Sequence, residues 1–140
     1  MKIYIIDSFG NTQEVDLEKH ITYYRRTIWI GGNEKDIYNT ITIQGFDTFQ
    51  CSITLDSALG KWLIRDGQIR TECPKGLLSD RAKACSMCMG RCVNLSPANP
   101  NYSLRLPEFP TLVNNNPIPP NGIILNDKDV ISKSSICHYS

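Results

Sequence analysis

The chain has 140 residues, 41% of them hydrophobic and 21% charged, with a net charge of +1. That length is enough for a core that folds as one domain, 1–140, without covalent help, and the composition excludes wholesale disorder. Acidic and basic residues are interspersed, so no long-range field draws in nucleic acid or an anionic membrane, and neither is expected as a partner.

The opening MKIYIID alternates Ile3 and Ile5 against Tyr4 and Ile6, which predicts a first β-strand over Lys2–Ile6. Asp7 interrupts the apolar run too early for a secretory signal, and no run has the length to cross a bilayer. A cytoplasmic location is expected on that basis. Further strands are expected over Gln13–Leu17, Thr27–Gly31, Thr40–Gln44, Gln50–Leu55 and Lys61–Arg65, divided by the turn-forming "FGN", "GGN", "QGFD" and "SALG". "CSITL" and "KWLI" flank "DSALG" as a hairpin that points Trp62 at the core. After a break, strands are expected over Thr111–Val113, Ile123–Leu125, Val130–Ser132 and around Ser135–His138. Short alternating runs between recurrent turns predict an all-β protein, an antiparallel β-sandwich.

Residues 71–110 depart from this pattern. They lose alternation and gain Cys, Pro, Asn and Arg, and they are read as an insertion within the sandwich. "LLSDRAKACSMCM" can form one short helix with Ser79 as its N-cap, while the four prolines of "NLSPANPNY" and "RLPEFP" keep the following run extended. A connection of this length needs an organiser. Cys73, Cys85, Cys88 and Cys92, spaced C-x11-C-x2-C-x3-C, supply one if they bind zinc. Four thiolates suit tetrahedral Zn²⁺ with no open position, which is the form of a structural site. Arg81, Lys83 and Arg91 would offset its surplus negative charge. Two disulfides, an iron–sulfur cluster, a redox dithiol or unrelated free thiols are the alternatives. A reducing compartment weighs against disulfides, and the lack of a βαβ pattern weighs against a redox motif. Cys51 and Cys137 fall in expected strands and read as core residues.

Several segments in order, "TIWIGG", "DIYNTITI", "DTFQCSITLD", "GKWLIRDG" and "TLVNNNPIPPNGIILNDKDVI", resemble the forkhead-associated (FHA) domain, a β-sandwich that binds phosphothreonine peptides. The resemblance implies a non-catalytic adaptor whose loops hold a protein or phosphopeptide ligand. Gly32, Asn33, Lys35, Asp47, Thr48 and Asn114 are the implied peptide-binding candidates. In the family an Arg, a Ser and loop Asn residues hold the phosphate through charge-assisted hydrogen bonds. Here the Arg position is Gly32, the Ser position Asp47, the following Arg Thr48 and the motif His Gln50, and Asn114 is followed by Asn115 in place of Gly. A register slipped by one would put Thr48 at the Ser position and Cys51 at the His position. A carboxylate at a phosphate site repels the ligand. Lys35, Arg25, Arg26 and Arg70 are the available replacement cations.

Other features carry less. His20 and His138 are isolated and have no neighbouring nucleophile or carboxylate pattern. "IWIGGNEKD" has neither the spacing of a dinucleotide loop nor the lysine of a phosphate loop, and it reads as a turn. "TYYRR" reads as a solvated strand face. Three functions are in play: an FHA-like phosphothreonine adaptor, a phosphate-independent interaction or assembly module, and a thiol redox or electron-transfer protein.

Overall fold

A computed structural model describes residues 1–70, 73–77, 81, 84–86 and 103–137. The expected helix and the thiols of Cys88 and Cys92 lie wholly or mainly outside these residues.

Ten strands form two packed five-stranded sheets, a β-sandwich. They are β1 (Lys2–Ile6), β2 (Thr12–Asp16), β3 (Thr27–Gly31), β4 (Ile41–Thr42) and β5 (Cys51–Asp56). These are followed by β6 (Lys61–Asp66), β7 (Thr111–Val113), β8 (Asn116–Pro117), β9 (Ile123–Ile124) and β10 (Val130–Lys133). One sheet runs β2-β1-β10-β7-β8 and the other β4-β3-β5-β6-β9.

Alternation sets which side chains face inward. Ile3 and Ile5 on β1, Ile28 and Ile30 on β3, Cys51 and Ile53 on β5, Trp62 and Ile64 on β6, and Ile131 on β10 form one buried core. The β5–β6 hairpin pairs Leu55 with Trp62 and Asp56 with Lys61, as "DSALG" predicts, and Gly60 (φ +64°) turns its tip. Trp29, between two core isoleucines, points the other way. It is fully buried on the outer face of its sheet against Tyr38, Cys73 and Leu77, so the start of the insertion covers that face.

The structure departs from the sequence expectation in five places. Both sheets are mixed: β1 runs parallel to β10, and β3 parallel to β4. Periodicity reports which face is buried and carries no information on a partner's direction. Of the expected Thr40–Gln44 only Ile41–Thr42 pairs, because the chain turns away after it. Strand pairing at the C-terminal end stops at Lys133, which leaves Cys137 half-buried beyond β10 instead of within a strand. β8 went unexpected because it lies in the proline-rich "NNNPIPP". Asn114 (φ +51°) and Asn115 (φ +67°) adopt the left-handed conformations of a tight hairpin turn, and Pro117 sits on an edge strand where its missing N–H costs nothing. "TYYRR" is likewise a tight turn in place of a strand face: Thr22 and Arg25 exchange backbone hydrogen bonds, and Tyr23 is 84% exposed at its tip.

Candidate functional site

Five segments meet at one end of the sandwich. They are the end of β1, the β3–β4 loop, the β4–β5 loop, the chain following β6, and residues 105–111 leading into β7. Two buried glutamines join them. Gln50 is fully buried; its Nε2 donates to the Phe109 carbonyl (2.9 Å) and to Thr111 Oγ1 (2.9 Å), while its Oε1 accepts from the Asp47 amide (3.0 Å). Thr111 returns a bond from Oγ1 to the Gln50 carbonyl and donates its amide to Asp66 Oδ1. Gln68, 1% exposed, donates from Nε2 to the carbonyls of Ile30 and Cys51 and to Asn39 Oδ1, and Asn39 donates in turn to the Thr48 carbonyl (3.0 Å). Amide side chains suit these positions because each carries donors and an acceptor, and a buried loop junction exposes both kinds of orphan backbone group.

A cation lies within this frame. Arg70 pairs with Asp36 at 2.8 Å, donates Nε to Gln68 Oε1, and lies 4.7 Å from the Tyr38 ring centroid and 4.3 Å from that of Phe49. Arg105 approaches the same Phe49 ring at 5.1 Å. Arg70 and Asp36 are almost wholly buried, so this pair joins the β3–β4 loop to the chain beyond β6 and does not face solvent.

The peptide-binding candidates separate into two places. Gly32, Asn33, Lys35, Asp47 and Thr48 lie together on the β3–β4 and β4–β5 loops, with the Gly32 amide donating to the Asp47 carbonyl (3.1 Å). Asn114 lies at the far end of β7 from Gln50 and Asp66. There its Nδ2 donates to Asp129 Oδ1 and its Oδ1 accepts from the Val130 amide, which closes the β7–β8 turn onto β10.

The first group is tightly packed. A Cβ built on Gly32 would stand 1.9 Å from the Phe46 carbonyl oxygen, and one on Gly31 would stand 2.3 Å from that of Thr48. The glycine pair thus lets the β4–β5 loop lie directly on the end of β3. Asp47 directs Oδ1 at the Phe49 amide (2.9 Å), and Asn33 Oδ1 accepts from the Lys35 amide (3.0 Å), so both side chains cap their own loops. Ile37 on the β3–β4 loop, and Leu104 and Leu106 on the chain leading to β7, are exposed apolar side chains (38, 47 and 53%).

Of the replacement cations, Arg25 donates to the carbonyls of Pro74 and His20, and Arg26 donates to Ser57 Oγ (2.9 Å) beside the β5–β6 turn, at the other end of the sandwich. Gln68 escaped the sequence reading entirely. A lone glutamine after a strand carries no local signal, and its role arises from carbonyls 17 and 38 residues away.

The thiols differ in setting. Cys51 is fully buried, and desolvation, reinforced by the Asp66 carboxylate, pushes its pKa far above the usual thiol range against a weaker opposing hydrogen bond with Thr111. It is a core residue with no accessible thiolate. Cys73 is buried under Trp29, and Cys85 is half-buried. Both are free thiols, and the described residues contain no group of three or more metal-ligating side chains. His20, the last residue of the short 3-10 turn at Leu17–His20, has its pKa lowered by burial and by the Arg25 charge, which outweigh Asp16.

Among the described residues no helix is long and apolar enough to cross a membrane. Comparison with protein-family models, with curated proteins and with solved structures finds no match. The class that the fold defines is the two-sheet β-sandwich with a loop-built end.

Proposed function

We propose that this protein is a non-catalytic, FHA-like interaction module that binds a protein partner through the loop end of its sandwich, independently of phosphate. The observation that carries this reading is the contact at Gly32. The backbone carbonyl of Phe46 fills the space into which any side chain at that position would grow, so the guanidinium that the family resemblance implies has no room. Asp47, at the Ser position, spends one carboxylate oxygen on its own loop and keeps its negative charge there. Both features weigh against a phosphate dianion between the two loops. A rigid frame and the exposed Ile37, Leu104 and Leu106 support a surface for a protein partner, since ordered loops lose little entropy on binding.

The test is a library of phosphothreonine peptides titrated against matched unphosphorylated peptides, with the contact surface mapped by amide chemical shifts. Equal affinity for both sets, with shifts at residues 33–37 and 47–49, is the expected outcome. Binding that requires the phosphate would overturn it.

Cys73, Cys85, Cys88 and Cys92 are proposed to hold one structural zinc that closes the insertion, on the strength of their spacing. Zinc would supply four bonds to a segment whose sequence lacks strand alternation, and the buried Cys73 would tie that site to the outer face of the sheet. Native mass spectrometry should find about one zinc per chain. A metal-free protein with all four thiols reactive and an unchanged fold would exclude the site.

A further inference from the structure

A cleft of about 370 Å³ opens where β1 and β10 end, beside the β4–β5 loop. Nothing in the frame described above uses it. Its lining residues include Ser8, Ser132, Ser134, Ser135 and Lys133.

Two of these residues have donors left to offer. Lys133 Nζ donates to the Gly45 carbonyl at 2.7 Å and stands 5.2 Å from the centroid of the Phe109 ring, another part of the wall. An ammonium has three N–H donors, so anchoring through one leaves two to serve a ligand. Ser134 Oγ accepts from the Ile136 amide (3.0 Å), which leaves its hydroxyl proton to donate elsewhere. Ser8 is seated against Gly45, where a Cβ would fall 1.8 Å from its Oγ, so the glycine makes room for this hydroxyl. The wall's acid is Asp7, whose Oδ1 accepts from the amides of Phe9 (2.8 Å) and Asn11 (3.0 Å) and is held in its own turn.

A fixed cation and the Ser134 hydroxyl beside a serine-lined cleft match an oxyanion through charge-assisted hydrogen bonds. The interface is read above as independent of phosphate, which narrows that class to a carboxylate. We infer that this cleft is a subsite that takes a carboxylate of the bound partner, from an acidic side chain or from a chain terminus. The inference rests on the reading of the loop end as an interface. Lys133 links the two, because its anchor, Gly45, belongs to the same β4–β5 loop as Asp47 and Thr48.

The experiment uses the full chain and three probes followed by amide chemical shifts: acetylglycine for a terminus, acetyl-aspartate methylamide for a side chain, and inorganic phosphate. Chloride at matched ionic strength is the control. Saturable shifts at Ser8 and Ser132–Ser135 with a carboxylate probe are expected, and the tighter of the two names the source. Lys133→Met should weaken binding roughly tenfold or more, the scale of one charge-assisted bond. Ser134→Ala, at a partly exposed position, should weaken it by a smaller factor and serves as the second variant if the first fails to fold. Absence of saturable shifts, identical shifts with chloride, unchanged affinity in a folded Lys133→Met, or tighter binding of phosphate than of either carboxylate would each overturn the inference. If the probes fail while library peptides still shift residues 33–37 and 47–49, the cleft is removed and the interface stands. Peptides that shift neither loop remove the interface, and the probes then judge the cleft alone.

Discussion

Gly32 shows how much a missing side chain can determine. Its backbone conformation is one that any residue can adopt, so the requirement for glycine comes from the Phe46 carbonyl and not from φ. Gly32→Arg, the change that would introduce the cation implied by the FHA resemblance, must displace backbone. It is expected to destabilise the fold by about 1–3 kcal/mol, as overpacking does, without creating phosphothreonine affinity. Thermal or urea unfolding with a phosphopeptide titration checks both parts, and a stable variant with new phosphate-dependent binding would contradict the proposed function. Gln50 is the complementary case, a polar side chain whose removal strands its partners. Gln50→Ala leaves the Asp47 amide and the Phe109 carbonyl without their bonds at a buried junction, which should cost about 2–3 kcal/mol. A loss under half a kilocalorie in urea unfolding would show that water replaces the amide at no net cost.

The β3–β4 loop owes its order to elements distant in sequence. The Asp36 carboxylate accepts from the Tyr38 amide within the loop and pairs with Arg70 from beyond β6. Removing one partner of a buried ion pair leaves the other charge unsolvated, so Arg70→Met should destabilise the protein by about 3–5 kcal/mol. The double variant with Asp36→Asn should recover part of that loss. Hydrogen exchange of residues 33–39 should accelerate in the single variant, and unchanged protection there would mean that the loop is ordered without the pair. Trp29 plays the same linking part on the outer face. Its burial against Tyr38, Cys73 and Leu77 couples the insertion to the sheet, and Trp29→Ala should cost about 3–5 kcal/mol.

For the whole molecule, one histidine predicts a pH dependence. Folding lowers the pKa of His20 below its ordinary 6.5, so the unfolded chain binds the proton more readily. Its contribution is therefore neutral above that value, and stability falls as pH drops from 6.5 towards the folded pKa. His20→Gln should flatten the urea midpoint across that window, and a variant with the wild-type slope would assign the dependence to other groups. The loss sets in just below 6.5, above the ordinary carboxylate range, which separates its onset from general acid unfolding.

The sequence by itself determined the local content of the fold. Period-two alternation identified most strands and their inward faces, and "DSALG" placed the β5–β6 turn, because both signals lie within a few consecutive residues. The turn-forming "GGN" and "QGFD" also located the two loops that carry Gly32 to Lys35 and Asp47 to Thr48. Only the tertiary structure decided the rest. The parallel pairing of β1 with β10 joins residues from opposite ends of the chain, and Gln50 and Gln68 become junctions only when distant carbonyls converge on them. Asn114, which the FHA resemblance groups with the loop residues, lies at the other end of the sandwich, since a three-residue strand carries the chain away from them. Side-chain period is a property of neighbours along the chain, whereas strand direction, close approach and buried hydrogen bonding are properties of neighbours in space.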